Sequence, residues 1–132
     1  MTVKPSLFVL LVSALLALPT AATHTVLAQR SDSGDRTVEN LIATTLSEIG
    51  LPGRVRVVRV TMAPGAVRGD HKHDGRSALQ VILQGTVTEY RGDQSFVRTE
   101  GDVFTIPEGV THATENTGTT AAVYIEVNIF PE

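Results

Sequence analysis

His71 and His73 stand one residue apart in "GDHKHDGRSALQVILQG", and His112 lies further on in "PEGVTHATEN". On an extended segment, side chains two residues apart leave the same face, roughly 6.5 to 7 Å apart along the strand. Two imidazoles so placed can lean onto one ion, each nitrogen about 2.0 to 2.1 Å from it. A third imidazole brought from a separate hairpin would complete a set of neutral nitrogen ligands. With no ligand charge to offset it, a divalent ion held there keeps its full positive charge and open positions for water, dioxygen or a chelating anion. The alternative is that all three are surface histidines in hairpin loops.

The elements that must position these residues read as strands. "RVRVVRVTM", residues 54–62, alternates arginine with valine as a strand with one wet face does, and stops at Pro64-Gly65. Further strands are expected at 78–83, 86–91, 95–99, 102–106, 111–115 and 121–129, separated by Gly85, Gly92-Asp93, Gly101, Pro107-Glu108-Gly109 and Gly118. A strand around 41–46 is preferred over a short helix because Ile42, Thr44 and Thr45 are β-branched. Ile106-Pro107-Glu108-Gly109 carries Pro at the second place and Gly at the fourth, the pattern of a type I turn that launches the strand bearing His112. Short strands with turn chemistry between them and hardly any helical period indicate an all-β antiparallel sandwich or barrel.

The chain has 132 residues, enough for one domain. Its opening, "MTVKPSLFVLLVSALLALPTAATHTVLAQR", combines an early lysine, a twelve-residue apolar run from Leu7 to Leu18 and then small residues, the pattern of a secretory signal peptide. A bilayer-spanning helix needs roughly 20 apolar residues, so a stable membrane anchor is not expected. The expected organisation is a signal peptide over 1–28, cleaved after Ala28 or alternatively Ala22, a flexible leader over 29–37 and one domain over 38–132. Such a chain is exported, to a periplasm or the medium, and His24 leaves with the signal.

There is no cysteine, so export brings no disulfide framework. The formal charge is −3, and −4 once Lys4 is removed; no basic cluster points to nucleic acid or an anionic membrane.

The chain resembles the cupins, small jelly-roll barrels (double-stranded β-helices) with two sequence motifs. For the first, Gly65, His71-Lys72-His73 and Gly85 stand at the family's spacing. The second is matched at every position by Gly101, Pro107, Gly109, His112 and Asn116, with fifteen residues, 86–100, between the motifs. The resemblance implies a barrel holding a divalent transition metal, with Fe, Zn, Cu, Mn or Ni all open, through His71, His73 and His112.

It also implies a glutamate at 78, where this chain has Ala78. Gln80 shares the face of Ala78 but sits two residues on. It is expected beside the metal or substrate as a hydrogen-bonding amide, with direct ligation as a fourth ligand the alternative. Glu89 and Glu115 are lesser candidates to reach the ion, more simply read as solvated surface charge. Asp70, Lys72 and Asp74 should point outward, and Arg76 either guards the mouth for an anionic ligand or is an ordinary surface arginine.

Several dioxygenases of this superfamily work with three histidines, so the functional expectation is a metal-dependent, dioxygenase-like enzyme acting on a small chelating substrate. The alternative is a module that binds a metal or small molecule without converting it. Leu79, Val81 and Leu83 leave a second apolar face on their strand, on which a homodimer is expected.

Overall fold

A computed structural model describes residues 28–132. The expected signal peptide lies outside the described residues except for Ala28. Among the described residues no helix is long and apolar enough to cross a membrane.

The fold is all-β: β1 (Arg36–Thr45), β2 (Arg54–Met62), β3 (Val67–His71), β4 (Ser77–Gln84), β5 (Thr86–Arg91), β6 (Gln94–Thr99), β7 (Val103–Ile106), β8 (His112–Glu115) and β9 (Ala122–Phe130), with one 3-10 turn at Ser47–Ile49. These pair antiparallel in a five-stranded sheet of order β1-β2-β9-β4-β7 and a four-stranded sheet of order β3-β8-β5-β6. Val58, Val60 and Met62 of β2, Ile82 of β4, Val87 of β5, Phe104 and Ile106 of β7 and Tyr124 of β9, all on the inward phase of their strands, form the core. This is the jelly-roll arrangement. Gly85, with φ of 78°, makes the β4–β5 turn where an added Cβ would stand 2.8 Å from the Ala121 carbonyl oxygen.

Two boundaries differ from those the sequence led us to expect. The first strand starts at Arg36 rather than near 41, and pairs along nearly all of β2 through a bulge between Asn40 and Ile42. The segment expected to be a flexible leader is tied to the barrel: Ser33 and Val67 exchange backbone hydrogen bonds, the Asp70 amide donates to the Arg30 carbonyl, and the Gly69 amide donates to the Asp32 carboxylate at 2.6 Å. Polar composition alone does not reveal that the edge of β3 offers these residues partners.

Leu79 and Val81 point away from the core, level with Val127 and Ile125 of β9, so the outer side of the five-stranded sheet carries the apolar face anticipated for β4.

Asn116 closes the second motif as a brace. Its side-chain amide nitrogen donates to the carbonyls of Met62 and Thr120, both at 2.9 Å, and its oxygen accepts from the Gly118 amide at 3.0 Å, all in a fully buried position. Asn116→Ala strands the buried Met62 carbonyl and breaks two part-buried bonds, to Thr120 and from Gly118, and is expected to cost about 2 to 4 kcal/mol in urea unfolding of the metal-free protein. A loss under 1 kcal/mol would show that water replaces the side chain.

Candidate metal centre

β3 ends at His71, whose Cα partner across the β3–β8 ladder is His112, so two of the three imidazoles start directly opposite each other. His73 lies just beyond the strand and needs another support. The Gly109 amide donates to its carbonyl at 3.1 Å, the Gly75 amide donates to the Glu108 carboxylate at 2.9 Å, and the Glu108 amide donates to Ser77 Oγ at 3.3 Å. The turn between β7 and β8 thus stitches down the loop that carries His73. That turn is closed from Val110 to Pro107, one residue later than expected, with Gly109 at its third place and φ of 74°. A positive φ at the third place is the type II requirement, which is why glycine stands there.

The three histidines converge, with ligand atoms all within 4.8 Å of one another. His73 and His112 are fully buried and their Nε2 atoms are 3.5 Å apart. Two nitrogens on one ion at about 2.0 to 2.1 Å stand roughly 3.0 to 3.5 Å apart, so the spacing fits. His71 directs Nδ1 to the Gly69 carbonyl at 2.9 Å, which leaves its Nε2 buried without a partner. A backbone carbonyl on Nδ1 is the usual device for presenting Nε2 to a metal.

Burial holds all three histidines below their ordinary range. His73 is lowered to about 4, with Glu126 partly opposing the desolvation; His112 is lowered to about 3 by desolvation and then by the two neighbouring imidazoles; His71 is lowered less, its bond to Gly69 opposing. At neutral pH the triad is therefore neutral, the state in which imidazole binds a metal.

Gln80 is buried, as its phase with Ala78 required, and its amide nitrogen donates to Glu126 at 2.7 Å while its oxygen has no partner. Ala78 is also buried, opposite Asn128 of β9, whose side-chain oxygen accepts from Arg76 Nε at 2.7 Å. Arg76 is thus anchored rather than free on the surface. Lys72 and Asp74 are exposed and face each other at 3.8 Å, whereas Asp70 accepts a bond from the Arg30 amide.

Of the two lesser acids, Glu115 is held by the Tyr90 hydroxyl at 2.9 Å. Glu89 corrects the surface reading: it is fully buried, gripped by Arg91 at 2.6 Å and Arg98 at 3.1 Å, with an oxygen 3.9 Å from Nδ1 of His112. At that distance Glu89 makes no hydrogen bond to His112, whose Nδ1 has no partner among the described residues. Its signal was the alternation that puts Arg91 on the same side of β5 as Glu89.

The residues missed altogether are Glu126 and Asn128, buried on β9 in phase with Tyr124. Beside His71 a cleft of about 440 Å³ opens to solvent between residues 29–32 and Arg36 and Arg68.

The family model for the Cupin domain matches residues 58–128, a span that contains both motifs and all three histidines. The chain belongs to the cupins. Among curated relatives, this cupin is 35% identical over 79 residues to the xanthan biosynthesis protein XanB of Xanthomonas campestris, covering 60% of the chain but only 17% of that protein's length. It is 30% identical over 89 residues to the oxalate-binding protein of Thermotoga maritima, covering 67% of the chain and 74% of the relative. The solved cupin domain of Cnp3 from Schizosaccharomyces pombe superposes with a TM-score of 0.64 at 18% identity, covering 76% of this chain and 68% of that one, a likeness of fold.

Proposed function

We propose that this cupin is an exported protein that holds a divalent transition metal through His71, His73 and His112 and acts on a small, oxygen-rich chelating substrate in the manner of a dioxygenase. The observation that carries the reading is the convergence of three neutral imidazoles, two of them fully buried, inside the barrel. A metal held there supplies a Lewis acid with positions left open for ligands. The protein's own part is to bring a ligand in and orient it. Arg36 and Arg68 line the cleft beside His71 together with Asp32 and Asp70, and because Arg36 pairs with Asp32 at 3.5 Å, an anionic oxygen ligand there is drawn mainly by Arg68. Export is supported by the apolar run from Leu7 to Leu18 behind Lys4.

A second reading, binding without turnover, is favoured by the T. maritima relative, which is named for binding oxalate and matched over most of its length. One experiment separates the two. Protein loaded in turn with iron, manganese, copper, nickel or zinc is mixed with small diols, enols, thiols and oxalate while oxygen uptake and thermal stability are followed. Oxygen consumption with multiple turnovers, abolished by His112→Ala, is the expected result. Stabilisation by oxalate or a diol without any uptake or product gives the binding module.

A further inference from the structure

Glu126 is a carboxylate in a place where a carboxylate is costly. It sits on β9, the central strand of the five-stranded sheet, faces inward and is 2% exposed. Its one hydrogen-bond partner among the described residues is the neutral amide of Gln80, directly across the ladder, and no arginine, lysine or histidine there forms an ion pair with it. Arg76 feels the Glu126 charge from beyond ion-pair distance and gives its Nε to Asn128. A carboxylate withdrawn from water needs a cation in contact or several hydrogen bonds, and Glu126 has a single hydrogen bond and no contact ion pair.

His71 and His73 both feel the Glu126 charge, so the acid lies within electrostatic reach of the site from the opposite sheet. The Gln80 oxygen, buried and without a donor, is the second unmet group on the same wall. Meanwhile the first motif lacks its acid: Ala78 stands at that position, with Asn128 opposite and Arg76 attached to Asn128. The carboxylate missing from β4 has a counterpart one strand over.

We propose that Glu126, clamped by Gln80, supplies the negative charge that the first motif lacks, and acts on the metal centre through the water or ligand that completes it. This rests on the triad being a metal site. Glu126 does not belong to the group of ligand atoms lying within 4.8 Å of one another, so its role is that of a charge and hydrogen-bond acceptor rather than a fourth direct ligand. Gln80 is then the positioning residue, fixing the carboxylate by its amide nitrogen.

The test measures binding and stability, not turnover. Wild type, Glu126→Gln and His112→Ala are titrated with Zn²⁺ and Co²⁺ against a chromophoric chelator, the Co²⁺ spectrum is recorded, and Tm is measured with and without metal. Glu126→Gln keeps the shape and the bond capacity toward Gln80 but removes the charge. It is expected to bind roughly tenfold or more weakly, the scale on which groups beyond the ligands tune metal affinity. Its Co²⁺ spectrum should shift, and its metal-free Tm should equal or exceed that of wild type, because an uncompensated buried charge has been removed.

Affinity within twofold of wild type overturns the role of Glu126 and leaves the triad standing. A fall in the metal-free Tm of Glu126→Gln also overturns it, since that identifies a brace of the fold. If wild type binds neither ion, or if binding survives His112→Ala, the metal reading itself fails and this proposal falls with it.

Discussion

Replacing either buried histidine with alanine is expected to empty the site while leaving the barrel folded. His73→Ala and His112→Ala should each lower affinity for a divalent metal by about a hundredfold or more, because two imidazoles cannot close a coordination shell that three begin. The fold should survive: both rings are buried with Nδ1 lacking a hydrogen-bond partner, so in the metal-free state they contribute packing at the expense of desolvation. The thermodynamic signature is therefore a loss of metal-dependent stabilisation, which for wild type reaches about 4 kcal/mol when free metal exceeds Kd a thousandfold. Elemental analysis of the purified protein beside His73→Ala and Gln80→Ala measures this directly. Stoichiometric metal in wild type, none in His73→Ala and a reduced content in Gln80→Ala is the pattern expected when Gln80 holds Glu126. Undiminished metal in His73→Ala would remove His73 from the site.

The triad was legible in the sequence because its information is local. The His-x-His spacing keeps two imidazoles together, and His112 follows a Pro-x-Gly turn that fixes where β8 begins. Strand positions were legible for the same reason, since alternation and turn residues act over a few positions, as in β2 and β5.

Glu126 was not legible in that way. Its significance comes from β9 inserting between β2 and β4, which places it against Gln80 across 46 positions of chain. In the sequence it is one acid in "VYIEVNIF"; only its phase with Tyr124 marks it as inward. Glu89 was misread through the general habit of carboxylates to be solvated. Two arginines, one on its own strand and one on β6, hold it inside, and the second is found only once β5 and β6 are paired. The leader was misread because a polar segment can still be ordered by an edge strand that needs partners.

The metal-free protein is expected to be sensitive to acid through the same three residues. In the unfolded chain a histidine takes up its proton near pH 6.5. In the barrel His73 does so only at about 4 and His112 at about 3, with His71 lowered as well, desolvation being the leading cause in each. Between these ranges the unfolded state binds more protons than the folded one, so stability rises with pH there and is lost as pH falls. The contribution is complete above about pH 7 and drains away from roughly pH 6.5 down toward pH 4. Each of the two buried rings is worth about 3 kcal/mol over that window. Urea unfolding of chelator-treated protein at half-unit steps from pH 7 to pH 4 should show this acid limb. His112→Gln, which leaves a polar side chain that cannot titrate, should shrink it by about half. An acid limb of unchanged slope in His112→Gln would assign the loss to carboxylates elsewhere in the barrel. With saturating metal the limb should shift to lower pH, since a proton must then displace the ion before it can occupy a ring.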